Sequence, residues 1–215
     1  MVEVNPFSSI SPRKEETLLG IDESKLKDLA KQLTEGNIIL IISGGSGSGK
    51  SLVEMKIEDE IPKKIKTIKL VCTPKLPEEL NALKLKDKTV VVIEKFHMVL
   101  ALGEQTIRHI LDTIGEMLNL KTSFLITATP ELAAAMPHIS NKIRNVRMFE
   151  IPPLSFEDAN KLVASRLNKI RAKPSHDITP FTEHELMHIW KTSRGNPKLI
   201  LLLCASLYET KGQLK

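Results

Sequence analysis

The stretch that decides the fold is Gly44-Gly45-Ser46-Gly47-Ser48-Gly49-Lys50-Ser51. It matches the pattern G-x-x-x-x-G-K-[ST], in which backbone N–H groups of a glycine-rich turn point at phosphate groups. Residues 37–43 before it are mostly apolar and β-branched, which predicts a buried parallel strand. The apolar positions after it have the spacing of an amphipathic helix: Leu52, Val53, Met55 and Ile57. Strand, turn and helix together predict a phosphate-binding loop rather than a flexible connection.

This loop predicts a site for a nucleoside triphosphate, with ATP and Mg²⁺ as the expected ligands. The positive end of the following helix favours phosphate, and Lys50 is expected to contact the β- and γ-phosphates. The Ser51 hydroxyl is the expected ligand of Mg²⁺. We assign nucleotide binding to residues 44–51 and to Leu52, which follows them.

Length and composition limit the possible classes of protein. A chain of 215 residues is long enough for one α/β core and a small appendage. The sequence contains no apolar run of membrane-spanning length and begins without a signal-peptide pattern, so we expect a cytoplasmic protein without a membrane partner. The two cysteines, Cys72 and Cys204, have apolar neighbours and lie outside any C-x-x-C motif, which indicates buried thiols.

The charge balance is compatible with nucleic acid as a partner. The formal net charge is +5 and the isoelectric point is about 9.1. Aromatic residues make up only 4% of the chain, too few to predict a platform on which single-stranded bases stack. If DNA is bound, the backbone of double-stranded DNA is therefore the better candidate.

Alternating strands and helices predict a parallel sheet with helices on both faces. We expect helices over residues 22–33 and 104–118 and strands over residues 37–43, 66–72, 89–94, 123–128 and 146–151. Sites in such sheets lie at the carboxyl ends of the strands. The glycine loop, Glu94 and Thr129 all follow or end a predicted strand, so one shared site is expected there.

From Pro152-Pro153 onward the sequence predicts helices only. Ser155 is the expected cap of the first helix, Thr182-x-x-Glu185 is a capping box, and Asn196-Pro197 begins the last helix. The predicted organisation is an extended lead-in over residues 1–20, an α/β domain over 21–153 and a helical lid over 154–215.

These segments together resemble AAA+ ATPases of the initiator and transposition-helper group, namely origin-recognition proteins, the ExeA type, and the TniB, TnsC and MuB helpers. Besides the glycine loop, five segments carry the resemblance: Asn5-Pro6-Phe7, Ile93-Glu94-Lys95-Phe96-His97-Met98-Val99-Leu100, Ala128-Thr129-Pro130-Glu131-Leu132, Pro153-Leu154-Ser155-Phe156-Glu157-Asp158 and Gly195-Asn196-Pro197-Lys198-Leu199-Ile200. The resemblance implies a P-loop NTPase fold with a five-stranded parallel sheet between helices, followed by an all-helical lid.

The resemblance also implies a role for individual residues. Glu94 takes the place of the acid that holds Mg²⁺, and Thr129 takes the place of the polar sensor near the γ-phosphate. Arg144, with Arg147 as second choice, lies in the segment that supplies an arginine to the nucleotide of a neighbouring subunit. Lys198 takes the place of a second sensor that is usually arginine.

Lys95 is the main departure from the family pattern. It stands where the family has the glutamate that polarises the attacking water, and a charged lysine cannot accept a proton from water. Hydrolysis is therefore expected to be slow or impaired, although ATP binding is not affected by this argument.

The functional prediction is an ATP-binding switch that forms homo-oligomers on double-stranded DNA, with a protein partner such as a recombinase or a replication factor. One alternative is a non-catalytic interaction module in which ATP is structural. A minor alternative is a zinc peptidase, because His184-Glu185-x-x-His188 matches H-E-x-x-H. A small-molecule kinase is a weaker option, since no site for a phosphate acceptor is visible.

Overall fold

The structure is a computed structural model that describes residues 5–7, 17–85, 88–118 and 120–213. The chain divides into two compact units. The first, here called the sheet unit, comprises residues 22–46 and 50–151. The second, here called the helical unit, comprises residues 1–21, 47–49 and 152–215.

The sheet unit contains a five-stranded, fully parallel sheet. The strands are β1 (Ile39–Ser43), β2 (Lys66–Val71), β3 (Thr89–Glu94), β4 (Thr122–Ala128) and β5 (Val146–Glu150), and their spatial order is β2-β3-β4-β1-β5. This confirms the sheet that the sequence predicts. The ends of four strands differ from the prediction by one or two residues, as strand ends commonly do.

Five α-helices and one 3₁₀ helix accompany these strands. They are α1 (Glu23–Glu35), α2 (Lys50–Glu60), α3 (Leu76–Asn81), the 3₁₀ helix Phe96–Leu102, α4 (Glu104–Leu118) and α5 (Pro130–Ile139). Asp22 caps α1 as predicted, because its side chain accepts a hydrogen bond from the Ser24 N–H. The 3₁₀ helix was not predicted.

The three central strands, β1, β3 and β4, are buried along almost their whole length. Their alternate side chains form one core with α3, α4 and α5 on one face of the sheet. On the other face lie α1 and α2, which bury Leu26, Leu33, Val53 and Ile57. The edge strands β2 and β5 are largely exposed. The sheet is therefore sandwiched by helices, and its three central strands are almost completely buried.

The helical unit is built from α6 (Phe156–Leu167), α7 (Glu183–Ser193) and α8 (Pro197–Gln213). The caps of α6 and α7 are those predicted, since Ser155 accepts from the Asp158 N–H and Thr182 forms a capping box with Glu185. Its core also contains Phe7, which is fully buried and packs edge-on against Phe181 and Tyr208. The early segment of the chain thus contributes an aromatic side chain to the core of the last three helices.

Within the part of the chain that the structure describes, no helix combines the length and the apolar character needed to cross a bilayer.

Candidate nucleotide site

The glycine loop connects β1 directly to α2. Strand β1 ends at Ser43 and α2 begins at Lys50, and the Gly44 N–H donates to the Ala128 carbonyl at 3.3 Å. Gly47 and Gly49 have φ angles of 77° and 101°, a region that side-chain-bearing residues rarely adopt. A Cβ at Gly49 would meet no atom within 4 Å, so backbone conformation rather than space explains this glycine. The turn has the conformation that the motif predicts.

Lys50 lies folded back over this loop. Its Nζ donates to the carbonyl oxygens of Gly44 at 2.6 Å and Gly45 at 2.8 Å. Partial burial lowers the pKa of Lys50 below its ordinary value. The hydroxyl of Ser48 is buried and has no hydrogen-bond partner among the described residues. A cation, an unpartnered hydroxyl and a helix N-terminus in one short loop fit the oxygens of a phosphate group.

Three adjacent strand ends place the other predicted residues at the same edge. Glu94 is the last residue of β3, Thr129 follows β4, and the loop follows β1, with β4 lying between the other two strands. Because neighbouring strands are about 4.8 Å apart, the end of β3 is about 10 Å from the end of β1. Glu94, Thr129 and the glycine loop therefore lie at the carboxyl edge of the sheet, and a shared site there stays a prediction.

The carboxylate of Glu94 is paired with Lys69, a residue that the sequence analysis did not single out. Lys69 lies on β2 opposite Val92, so its side chain is on the same face of the sheet as Glu94. Its Nζ lies 2.7 Å from Glu94, 2.8 Å from Glu58 and 3.1 Å from Glu54. One ammonium group therefore holds three carboxylates, two of them on α2.

Burial and charge act in opposite directions in this cluster. Burial raises the pKa of Glu54 to about 7, despite the attraction of the Lys69 ammonium. The pKa of Lys69 is raised by its hydrogen bonds to Glu58, Glu94 and Glu54, which outweigh the opposing effect of burial. Lys69 thus lies beside Glu94, the residue that the sequence analysis predicts to bind Mg²⁺.

Lys95 turns away from the strand immediately after Glu94. Its φ is 54°, in the left-handed region, and its backbone N–H donates to the Thr127 hydroxyl at 3.1 Å. Thr127 is buried in β4, whereas the Lys95 side chain is exposed. The residue that follows β3 therefore carries a positive side chain, as the sequence indicates.

The remaining predicted residues occupy different places. Thr129 caps α5 by accepting from the Leu132 N–H, so its hydroxyl has a structural partner. Arg144 is exposed before the amino end of β5, the edge of the sheet opposite the glycine loop. Lys198 is the second residue of α8 and is exposed, and its N–H donates to the Gly47 carbonyl at 3.3 Å within the helical unit.

The H-E-x-x-H segment in α7 is committed to helix capping. Glu185 accepts from the Thr182 N–H at 2.8 Å and pairs with Lys211 at 2.7 Å. These contacts, led by the Lys211 hydrogen bond, lower the pKa of Glu185 to about 2. Across the described ranges no group of three or more His, Cys, Asp or Glu could hold a metal ion. The arrangement does not support the zinc peptidase alternative.

Comparison with known proteins agrees with this geometry. The structure matches the Walker-type ATPase PABY2304 of Pyrococcus abyssi with a TM-score of 0.61 and 11% identity, over 95% of this chain and 71% of that one. It matches the Aeropyrum pernix ORC1 protein, solved in complex with DNA, with a TM-score of 0.61 and 12% identity, over 96% of this chain and 64% of that one. The chain has the fold of a P-loop NTPase.

These structures share the fold with this chain at low identity. The chain spans less than two thirds of the ORC1 chain. No family model matches the sequence, and no curated protein matches it. The P-loop fold is therefore assigned from structure, and the chemistry has to be argued from the residues of this chain.

The P-loop residues fit phosphate, and two nearby side chains carry oxygen atoms that could be offered to a divalent cation. Ser51 is exposed in the first turn of α2 and can offer its hydroxyl to a metal ion. Glu94 would be the second oxygen donor, but its carboxylate already pairs with the Lys69 ammonium at 2.7 Å. Lys69 contacts only Oε1 of this carboxylate, and its second oxygen can still be offered to a hard cation. Ser51 and Glu94 are therefore the residues that would hold Mg²⁺.

Sequence reasoning missed Lys69, Glu54 and Thr127. A signal existed for Lys69, because a charged residue interrupts the apolar strand Ile68-Lys69-Leu70 on the face that should pack on a helix. Its partners could not be read from the sequence, since they depend on the pairing of β2 with β3 and on the rotation of α2.

Proposed function

We propose that this protein is an ATP-binding AAA+ switch that assembles into homo-oligomers on double-stranded DNA. The observation that carries the nucleotide part is the position of Lys50 in the first turn of α2, where it is hydrogen-bonded to a loop in which Gly47 and Gly49 adopt positive φ. The loop presents backbone donors, a helix N-terminus and a lysine together. These are the groups that recognise a polyphosphate.

Each residue has a separate role in this proposal. The loop N–H groups hold the phosphates, and Lys50 leaves the Gly44 and Gly45 carbonyls to contact the β- and γ-phosphates. The Thr129 hydroxyl lies at the adjacent strand end, where it can sense the γ-phosphate while still capping α5. Lys198 contributes a positive charge from α8.

The DNA and assembly parts of the proposal are supported by the net charge, by one structure with this fold and by the position of Arg144. The net charge of +5 favours a polyanionic partner, and one structure with this fold was solved in complex with DNA. Arg144 is exposed at the edge opposite the P-loop of its own chain, so it could reach a nucleotide only in another copy. A recombinase or replication factor is the kind of protein that would receive the signal.

Calorimetry with ATP tests the nucleotide part. Lys50→Ala should weaken ATP binding by about tenfold or more, because it removes a charge-assisted contact to the phosphates. Lys63→Ala, which changes an exposed lysine in the turn before β2, is the matched control and should bind as wild type does. Equal affinity of wild type and Lys50→Ala would exclude the P-loop as the binding site.

A second candidate is a non-catalytic module in which bound ATP is structural. Two observations favour it: the lysine at position 95, and the pairing of Glu94 with Lys69. In this case ATP binding is retained and phosphate release is negligible. Both candidates predict the same result for Lys50→Ala, so phosphate release decides between them.

A further inference from the structure

Three lysines lie side by side at the amino edge of the sheet, opposite the carboxyl edge. Lys66 begins β2, Lys88 precedes β3 and Lys121 precedes β4. These strands are adjacent and begin in register, since Lys66 pairs with Thr89 and Thr89 pairs with Thr122. All three lysines are exposed, and together they are called the basic edge.

The spacing within the basic edge follows from the sheet. Neighbouring strands are about 4.8 Å apart, so the three backbones span about 10 Å. Like charges held this close repel one another, and an anionic partner relieves that repulsion. Double-stranded DNA carries one negative charge per about 1.7 Å of its axis, which makes its backbone complementary to a row of cations.

Acidic residues near these lysines do not cancel their charge. Glu35 ends α1, and Asp59 and Glu60 end α2, where the chain turns back toward β1 and β2. Each acidic residue has a lysine near it in the sequence: Lys31 for Glu35, Lys63 and Lys64 for Asp59 and Glu60, and Lys86 for Asp87. Because these groups are balanced in number, the positive charge of the basic edge remains in excess.

Helix ends at this edge add partial negative charge, and one lysine meets such an end. The Lys88 Nζ lies 3.5 Å from the Thr34 carbonyl oxygen in the last turn of α1. An ammonium group has three donors, so this single long contact leaves Lys88 able to donate to a phosphate oxygen.

The backbone of Lys121 is an independent observation. Its φ is 58°, in the left-handed region, where glycine is favoured over residues with a side chain. Such conformations concentrate at functional sites. The turn before β4 would form more readily with glycine, so what lysine adds at this position is its positive side chain.

We propose that the basic edge binds the sugar-phosphate backbone of double-stranded DNA. The inference rests on the proposed function and assigns its DNA contact to the sheet unit. Among the described residues that precede these three strands none is aromatic, so unpaired bases have no side chain on which to stack there. Arg144 precedes β5, which β1 separates from β4, and is not part of the basic edge.

The salt dependence of duplex binding tests the proposal. Binding of a fluorescently labelled duplex is followed by anisotropy from about 50 to 200 mM salt, with a non-hydrolysable ATP analogue present. In the triple variant Lys66→Gln, Lys88→Gln, Lys121→Gln, the slope of log K against log salt should fall by about 0.9 for each lysine replaced. The affinity at about 0.1 M salt should fall about a hundredfold. An unchanged slope would overturn the proposal.

A second triple variant provides the matched control. Lys25→Gln, Lys27→Gln, Lys75→Gln removes the same charge at exposed positions, two in the first turns of α1 and one before α3. It should bind the duplex within about threefold of wild type, because screening limits the effect of distant charges. Both triple variants should bind ATP as wild type does. Equal losses of duplex binding would mean that net charge alone attracts DNA, which contradicts the proposal.

Lys121→Gly separates the charge of this residue from folding. Glycine suits a φ of 58°, so the thermal unfolding midpoint should not fall, whereas duplex affinity at about 0.1 M salt should fall by about fivefold to tenfold. Lys121→Arg keeps the charge and should bind as wild type does. A lower midpoint with unchanged duplex affinity would show that the side chain is structural and would refute its assigned role.

Two further results distinguish this inference from the proposed function. A single strand of the same length should bind wild type more weakly than the duplex, and equal affinity would contradict the assignment to a duplex backbone. Duplex binding that is the same in wild type and in the basic-edge variant would refute only the location. Absence of duplex binding by wild type at low salt would refute the DNA part of the proposed function itself.

Discussion

At the scale of single residues, the backbone of Lys95 turns into the left-handed region at the end of β3 and is held there by the Thr127 hydroxyl. A non-glycine residue in this conformation costs about 1 kcal/mol, which β4 compensates through that hydrogen bond. The backbone conformation fixes the direction in which the side chain at position 95 leaves the chain. Because that side chain is a charged lysine, it cannot accept a proton. Under the proposed function, a substitution at position 95 should change hydrolysis without changing ATP binding.

Lys95→Glu should raise phosphate release, by up to about a hundredfold, because it places a proton acceptor beside the predicted phosphate site. Lys95→Gln removes the positive charge without adding a base and serves as the control. Steady-state release of phosphate from ATP is the measurement. If wild type already turns over briskly and the rate depends on Arg144, the non-catalytic alternative is wrong.

At the scale of single elements, α7 shows how a short polar motif is used. The capping box closes the first turn of α7, and Lys211 of α8 pairs with the same carboxylate at 2.7 Å. Glu185 thereby satisfies N-terminal N–H groups and links two helices. The His184-Glu185-x-x-His188 segment, which matches the zinc peptidase motif, therefore forms the first turns of α7, and its glutamate caps the helix.

Glu185→Gln should destabilise the helical unit by about 1 kcal/mol near neutral pH, because the charge that Lys211 attracts is lost. The pKa of Glu185 is lowered from 4.5 to about 2, so its stabilisation is complete above pH 4.5 and disappears as pH falls through 2. The difference between variant and wild type should shrink over that range. Urea unfolding followed by fluorescence of Trp190, the single tryptophan and a residue of α7, measures it.

Glu183→Gln provides the matched control for this prediction. Glu183 is exposed in the same first turn and should contribute only a few tenths of a kcal/mol through the helix dipole. A difference that stays constant from neutral to acid pH would show that the carboxylate of Glu185 does not contribute through its charge.

The sequence predicted single helices and strands better than it predicted their arrangement. Periodicity and caps predicted β3, α4 and the starts of α1, α6 and α7, because these signals are local. The order of the strands and the pairing of Lys69 with Glu94 could not be predicted in this way. Both depend on contacts between segments that lie far apart in sequence, and a single charged residue in an edge strand does not specify its partner.

At the scale of the whole molecule, assembly is the part of the proposal that requires a second copy. The glycine loop lies at the carboxyl edge of the sheet and Arg144 at the amino edge. An oligomer in which the amino edge of one copy approaches the carboxyl edge of the next would satisfy both. Such a contact is heterologous and generates rings or filaments.

Mass measurement by light scattering tests this arrangement. With a non-hydrolysable ATP analogue and duplex DNA, wild type should exceed the 24.0 kDa of one chain, and DNA binding should weaken steeply with salt. Arg144→Ala should reduce assembly but leave ATP binding unchanged, whereas Arg108→Ala, an exposed arginine on α4, should assemble normally. A single-chain mass for wild type under these conditions would refute the switch.

The burial of Phe7 among α7 and α8 also has a consequence for synthesis on the ribosome. Phe7 contacts Phe181 and Tyr208, so its partners are translated only after the whole sheet unit. Because synthesis adds about 5–20 residues per second, about 10–40 s pass between the synthesis of Phe7 and that of Tyr208. The sheet unit is continuous from residue 50 to residue 151 and can be completed during that interval. The residues of the sheet unit are therefore all synthesised before Phe7 meets the aromatic side chain of the last helix.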